Sequence, residues 1–103
     1  MIVQIVRFKS GLSDEEVLRT YDARAPRYRA LQGLIQKHYL IFPATGEHGA
    51  AYLWRSEEAL KAFRESELAR TIPEAYRIQG APDVRVGAVV LTLRPAGMDG
   101  SSS

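Results

Sequence analysis

Two helix-start signals divide this 103-residue sequence into β-rich segments, and their positions constrain its fold more than any other feature. Ser13 precedes Glu16 by three residues, the spacing of a capping box in which each side chain pairs with the other residue's backbone N–H. Ser56 is followed by Glu57 and Glu58, and acids in a first helical turn are stabilised by the helix dipole. We therefore expect one helix to begin near each serine.

The expected ends of these helices follow from glycine and proline. Gly33 would close the first helix, and Pro26 inside it predicts a kink or a break near Ala25. The second helix is expected to run to about Arg70 and to end before Pro73. Apolar residues of the first helix recur at spacings of three and four and predict one buried stripe, formed by Val17, Leu18, Tyr21, Ala25, Tyr28 and Leu31.

Four short segments rich in β-branched and aromatic residues are predicted as strands: residues 2–8, 34–42, 50–55 and 84–93. Residues 43–49 have the length of a hairpin loop, and residues 72–83 form a long connection expected to lie over a cavity mouth. The resulting order, βαββαβ, predicts an α+β, ferredoxin-like fold with two helices on one face of a four-stranded antiparallel sheet. We expect one domain over residues 1–94 and a flexible C-terminal tail over residues 95–103.

Composition narrows the class of function. The chain is 46% apolar and 25% charged, as in ordinary globular proteins, and it has no cysteine for thiolate metal sites, disulfides or nucleophilic catalysis. No apolar run is long enough for a membrane span, and no signal peptide is expected, so a cytoplasmic location is predicted. The net charge is only +2, and residues 48–52 lack the paired aromatics of an RNA-recognition strand, so no nucleic-acid partner is expected.

Both faces of the predicted sheet are apolar. We assign the purely apolar parity, Val3, Ile5, Ala51, Leu53, Val89, Leu91 and Leu93, to the face that packs against the helices. The other parity is also too apolar to face water, and a soluble monomer rarely exposes so large a patch. We therefore predict a homodimer buried through the face that carries Ile2, Val6, Phe8 and Val90.

Three polar residues interrupt apolar strand positions and are candidates for a ligand pocket. Gln4 lies among Ile2 and Val6, while Gln36 and His38 share the parity of neighbouring leucines. A polar side chain buried among apolar ones is most easily tolerated where a ligand or water completes its hydrogen bonds. These groups could instead satisfy one another or face solvent at an edge strand.

Residues 33–40, 49–55 and 56–59 together resemble the dimeric α/β-barrel superfamily. Within it the sequence is most similar to the YdhR-like monooxygenases, relatives of the antibiotic-biosynthesis monooxygenases, over roughly residues 2–94. The resemblance implies a homodimer whose two sheets close into a barrel, with a cavity between sheet and helices in each protomer. It also implies a cofactor-independent monooxygenase acting on a small aromatic or enolic substrate. The chain has no asparagine, so the asparagine that some relatives use in oxygenation has no counterpart here.

If the protein is an enzyme, His38 is the candidate base, because an imidazole can take a proton from an acidic phenol or enol. Gln4 and Gln36 could bind a carbonyl or oxyanion, and no metal or other cofactor is expected. Aromatic side chains that could stack on a flat substrate are Phe8, Tyr52 and Trp54, although plain core packing explains them equally well. Lys37 and Tyr39 form the alternative set if the second strand has the opposite parity. A non-catalytic ligand-binding or structural dimer module is the competing interpretation.

Overall fold

A computed structural model describes residues 1–94, and in it the chain has the predicted βαββαβ order with two added short helices. The strands are β1 (Ile2–Ser10), β2 (Leu34–Phe42), β3 (Glu47–Trp54) and β4 (Ile78–Ala88). The helices are α1 (Asp14–Arg29), α2 (Glu57–Arg64), α3 (Glu67–Arg70) and α4 (Ile72–Ala75). The strands form one antiparallel sheet in the order β2-β3-β1-β4, which confirms the ferredoxin-like fold. The predicted tail, residues 95–103, lies outside the described residues.

The first predicted helix start is confirmed in detail. The Ser13 hydroxyl accepts a hydrogen bond from the Glu16 N–H at 3.2 Å, and the Glu16 carboxylate accepts one from the Ser13 N–H at 2.9 Å. The predicted break near Ala25 is wrong, because α1 runs through Pro26 as one helix. Pro26 lies in the last turn of α1, and the helix ends three residues later at Arg29.

The second predicted helix is broken into pieces before Arg70. Ser66 is the reason: its hydroxyl accepts a hydrogen bond from the Ala69 N–H at 3.2 Å and so starts α3. The connection predicted over residues 72–83 is also partly regular, since it contains α4 and the beginning of β4. The short helices place Leu68 and Ile72 against the core.

The fourth strand is shifted toward the N-terminus relative to the prediction of residues 84–93. Ile2 pairs with Ala88, and the Val89 N–H donates to the Met1 carbonyl, so β1 offers no partner to the residues that follow. Val90, Leu91 and Leu93 consequently extend past the sheet and are 93%, 81% and 88% exposed. β3 begins at Glu47 rather than at residue 50, which shortens the hairpin connection to residues 43–46.

The predicted assignment of the two sheet faces is reversed in the structure. Ile2, Phe8 and Trp54 are buried on the side covered by the helices, so they cannot form a dimer surface as predicted for Ile2 and Phe8. On this side, the large strand residues pack against aromatic rings of the helices, as Trp54 does against Phe63 of α2 at 5.1 Å between ring centroids. The opposite face carries the smaller apolar residues, namely Val3, Ile5, Ala51 and Leu53, which are half-buried.

The predicted stripe of α1 is confirmed at Val17, Tyr21 and Tyr28, which are buried, and it is wrong at Leu18, which is 63% exposed. None of the helices in residues 1–94 has the length and apolar character needed to cross a membrane.

Candidate functional site

A cavity of about 240 Å³ lies between the covered face of the sheet and the helices. Its walls come from every strand and every helix, so the complete fold is needed to form it. Most of its surface is apolar, a pattern typical of sites for small organic ligands that a few polar groups orient. The lining residues used below are Gln4, Phe8, Tyr21, Tyr28, Lys37, Tyr39, Tyr52, Phe63, Arg64, Ile72, Tyr76 and Val84.

All of the chain's tyrosines line this one cavity. The sequence contains five, at positions 21, 28, 39, 52 and 76, and they come from α1, β2, β3 and the residue after α4. The Tyr21 and Tyr39 rings stack with centroids 4.1 Å apart, and the Tyr21 hydroxyl donates to the Gly49 carbonyl at 3.0 Å. Aromatic contacts and this hydrogen bond therefore fix the shape of the cavity wall.

Lys37 is the basic group at the centre of the aromatic wall. Its Nζ lies 3.1 Å from the ring centroid of Tyr28, 4.5 Å from that of Tyr39 and 4.7 Å from that of Tyr52. No carboxylate within residues 1–94 lies inside the 4.0 Å range of a salt bridge with this amine. The ammonium form therefore has aromatic faces for neighbours and no counter-ion.

Burial and, to a smaller extent, the positive charge of Arg24 together lower the pKa of Lys37 to about 6. Arg24 is held in place by hydrogen bonds from its guanidinium to the Leu68 carbonyl at 2.8 Å and to the Thr71 hydroxyl at 3.3 Å. At neutral pH a large fraction of Lys37 is then a free amine, which can accept a proton or act as a nucleophile.

The tyrosine hydroxyls have the opposite tendency. Burial raises the pKa of Tyr21 to about 12, and burial likewise raises the pKa values of Tyr39, Tyr52 and Tyr76. These phenols stay protonated across the physiological range. The cavity thus combines one basic amine with several hydroxyl groups that can donate hydrogen bonds.

Gln4 is buried at the cavity wall and is held by Trp54. The Trp54 indole Nε1–H donates to Gln4 Oε1 at 3.0 Å, and both side chains are buried. Because an indole N–H can only donate, the atom facing it must be the amide oxygen. The amide NH₂ is therefore the part of Gln4 that can donate to a ligand in the cavity.

The structure brings together five of the eight predicted site residues: Gln4, Phe8, Lys37, Tyr39 and Tyr52 line the cavity. The other three do not line it. Trp54 is fully buried behind Gln4, and Gln36 and His38 lie exposed on the opposite face of the sheet. The predicted position of His38 in the pocket is therefore wrong.

An irregularity in strand pairing explains the reversal in β2. The register shifts between Leu34 and Gln36, after which Lys37 pairs with Tyr52 and His38 pairs with Ala51. This shift gives Lys37 and Tyr39 the cavity-facing parity. Lys37 and Tyr39, the alternative set predicted for the opposite parity of β2, are therefore the β2 residues that line the cavity.

Several residues of the cavity are not predicted from the sequence as site residues. Tyr21 and Tyr28 were recognised only as core positions, although their spacing of seven puts both on one side of α1. Tyr76 lies in a connection and Arg64 at a helix end, where the sequence pattern gives no signal for a pocket. Counting where all five tyrosines fall relative to the predicted core would have suggested an aromatic pocket.

A second polar pair lies outside the main cavity. His48 Nε2 lies 2.9 Å from the Asp14 carboxylate at the start of α1, and the two residues border a smaller cavity of about 150 Å³. His48 Nδ1 is buried and has no hydrogen-bond partner within residues 1–94. In the same range, no three His, Cys, Asp or Glu side chains are grouped as a metal site would require.

The sequence matches no protein-family model and no curated protein sequence. Solved structures resemble it closely in fold. SnoaB, a cofactor-independent oxygenase from Streptomyces nogalater, has a TM-score of 0.73 and 12% identity, with 91% of this chain and 97% of that chain covered. Rv0793 from Mycobacterium tuberculosis has a TM-score of 0.71 and 21% identity, covering 90% and 98%.

A structure described as an antibiotic biosynthesis monooxygenase has a TM-score of 0.70 and 14% identity, covering 88% of this chain and all of that one. These neighbours have the fold that the resemblance of residues 33–40 and 49–59 implies. At such low identity the likeness concerns the fold. The chain therefore has the ferredoxin-like fold that these solved structures share.

Proposed function

We propose that this chain is a cofactor-independent monooxygenase that acts on a small aromatic or enolic substrate in the tyrosine-walled cavity. The observation that carries the proposal is the unpaired Lys37 amine facing this cavity. The fold neighbours support it, since SnoaB is named as a cofactor-independent oxygenase. Lys37 takes the base role predicted for His38, because His38 lies on the other face of the sheet.

The first step of the proposed reaction is proton abstraction. A flat substrate stacks among Tyr28, Tyr39 and Tyr52, and the neutral Lys37 amine takes a proton from its acidic carbon or hydroxyl. The resulting carbanion or enolate is stabilised where its oxygen accepts hydrogen bonds from the Gln4 amide or from a tyrosine hydroxyl. Arg64 at the cavity rim adds positive charge near the anion.

The second step consumes dioxygen and needs no bound redox group. The carbanion of a CH₂ group adds O₂ to form a peroxide anion, which the Lys37 ammonium protonates. Loss of the remaining C–H proton then breaks the O–O bond and leaves a ketone and one water. One oxygen atom enters the product and the other is reduced to water, so the substrate itself supplies all the electrons.

The alternative is a non-catalytic module that binds the same class of ligand. The aromatic cavity wall and the Lys37 amine could bind such a ligand without any reaction. Oxygen consumption separates the two functions, because a binding module takes up a ligand without consuming dioxygen. A homodimer and a cytoplasmic location remain predictions under both functions.

The test is oxygen uptake with a panel of phenols and enolisable aromatic ketones, using isotopically labelled dioxygen to follow the oxygen atom into the product. We expect one active compound class with equal amounts of oxygen consumed and product formed. Replacing Lys37 with Met should lower kcat by about 10²–10⁴-fold, the usual contribution of a general base. Lys9→Met, at an exposed lysine, is the matched control.

Ligand binding that changes Trp54 fluorescence without any oxygen uptake across the panel would exclude the oxygenase and favour the binding module. Equal rates for Lys37→Met and the unaltered protein would exclude Lys37 as the base.

A further inference from the structure

The Lys37 amine has the surroundings of a carbonyl-binding nucleophile as well as those of a base. We infer that Lys37 captures small aromatic aldehydes as imines inside the tyrosine-walled cavity. This activity goes beyond the proposed oxygenation: it needs the same cavity but no dioxygen. Lysine amines can serve this purpose only when they are accessible to the ligand, unprotonated and not tied to a carboxylate.

The contacts of Lys37 meet the requirement that its amine not be held in a salt bridge. Its Nζ faces three aromatic rings at 3.1, 4.5 and 4.7 Å and has no carboxylate within salt-bridge distance among residues 1–94. The positive charge of Arg24 also disfavours the ammonium form. By contrast, Lys9 and Lys61, the other two lysines of the chain, are exposed to water.

The shape of the cavity selects the ligand class. Its volume of about 240 Å³ exceeds the roughly 150 Å³ that suffices for a benzene molecule in an engineered apolar cavity. Tyr39 and Tyr52 stand close to the amine, so a ring attached to the carbonyl carbon can stack on them when the carbonyl reaches Nζ. A single-ring aromatic aldehyde satisfies both conditions.

The chemistry balances within the cavity. The Nζ lone pair attacks the carbonyl carbon to give a carbinolamine, and a proton moves from nitrogen to the former carbonyl oxygen. A tyrosine hydroxyl of the cavity wall can then protonate the departing hydroxyl, so that water leaves and a C=N bond forms. The imine is neutral once the remaining N–H proton returns to the phenolate, and hydrolysis reverses the sequence.

The experiment traps the imine with benzaldehyde and sodium cyanoborohydride, which delivers hydride to the C=N bond and leaves a stable benzylamine. The full chain is treated near pH 7 and digested, and the label is assigned by mass spectrometry to Lys9, Lys37, Lys61 or the Met1 amine. A parallel sample is labelled in concentrated guanidinium chloride. Lys37→Arg and Lys9→Arg, labelled under the same conditions, form a matched pair.

In the folded protein we expect Lys37 to acquire label at least about tenfold faster than Lys9 or Lys61, because Lys37 lies in a cavity that can hold the aldehyde ring beside its amine, whereas Lys9 and Lys61 are exposed to water. The preference should vanish in guanidinium, survive in Lys9→Arg and be absent in Lys37→Arg. Labelling of Lys37 no faster than Lys9 would overturn the inference, as would a preference that persists in the unfolded chain. Trapping without oxygen uptake would reject the oxygenase alone, and oxygen uptake without trapping would reject this inference alone.

Discussion

The two faces of the sheet carry different kinds of apolar residue. The covered face presents large aromatic and polar side chains, among them Phe8, Tyr52 and Trp54, together with Gln4. The opposite face presents smaller aliphatic ones, including Ile5 and Leu53. Both faces contain apolar residues, but the large aromatic ones lie on the covered face, whereas the opposite face also carries the polar side chains of Arg7, Gln36 and His38.

This difference follows from what each face packs against. The helices contribute aromatic rings of their own, and the long side chains of the covered face pack against them. The Phe63 ring of α2 lies 5.1 Å from the Trp54 ring and 5.8 Å from the Tyr28 ring, measured between centroids. The cavity lies between these strand and helix rings. Short aliphatic residues make a flatter surface that suits contact with another sheet.

The largest difference between the faces should appear in stability. Trp54 is fully buried and its indole is hydrogen-bonded, so Trp54→Ala should lower the free energy of unfolding by about 3–5 kcal/mol. Leu53→Ala, the adjacent residue on the other face, should cost less because its side chain is only half-buried within the chain. Urea unfolding at low protein concentration measures both. Equal losses would mean that the two faces do not differ as described.

The sequence predicted the local features of the fold well. The helix starts at Ser13 and Ser56 and the segments that form β1 and β2 depend on neighbouring residues, and the structure contains all of them. The end of β4 was mispredicted because it depends on where β1, far away in sequence, ceases to offer hydrogen-bond partners.

The cavity was predicted less well, for a physical reason. Alternation cannot choose between two apolar parities, and one irregular pairing between Leu34 and Gln36 moves every later side chain of β2 to the other face. His38 was favoured for its chemistry at neutral pH. That Lys37 can accept a proton near neutral pH follows only from its surroundings in the folded chain, to which α1, β2 and β3 contribute.

The second prediction concerns the opposite face of the sheet, which carries Ile5 and Leu53. We expect a homodimer that buries this face, in place of the surface predicted from Ile2 and Phe8. Leaving this face in water is costly, and a second copy would cover it symmetrically. Light scattering should give twice the mass of the 11.5 kDa chain. Leu53→Arg buries an unpaired charge in such an interface and should weaken association by more than about 30-fold, or 2 kcal/mol.

Leu18→Arg is the matched control for this test, since Leu18 is an exposed leucine that belongs to α1 and not to the sheet. It should leave the mass unchanged. A monomer mass for the unaltered protein at micromolar concentration would rule out the dimer.

The free energy of unfolding should also depend on pH, because Lys37 on the covered face has a lowered pKa. The folded pKa is about 6, against about 10.4 for a lysine in an unfolded chain, so the unfolded state holds more protons between these values. Stability must then rise with pH over this window, by at most about 1.4 kcal/mol per unit. Attraction of the ammonium to Tyr28, Tyr39 and Tyr52 opposes the shift, and we expect about 2 kcal/mol in total from pH 6.5 to 9.

Urea midpoints at the two pH values measure this gain, and the comparison with Lys37→Met isolates it from the histidines. The raised pKa values of the cavity tyrosines keep them protonated below pH 9. The Met variant should lack the gain. An identical pH dependence in both proteins would show that Lys37 keeps its proton in the folded state.

The smallest expected effect compares two glutamines on opposite faces. Gln4→Leu keeps the side chain close in size but removes the acceptor of the Trp54 N–H, leaving a buried donor unpaired at a cost of about 1–3 kcal/mol. Gln36→Leu alters an exposed residue and should change stability by less than about 0.5 kcal/mol. The emission of Trp54, the only tryptophan of the chain, should shift in Gln4→Leu and stay constant in Gln36→Leu. If Gln4→Leu is as stable as the unaltered protein, the hydrogen bond does not stabilise the covered face, and aromatic packing alone holds Trp54 behind the cavity.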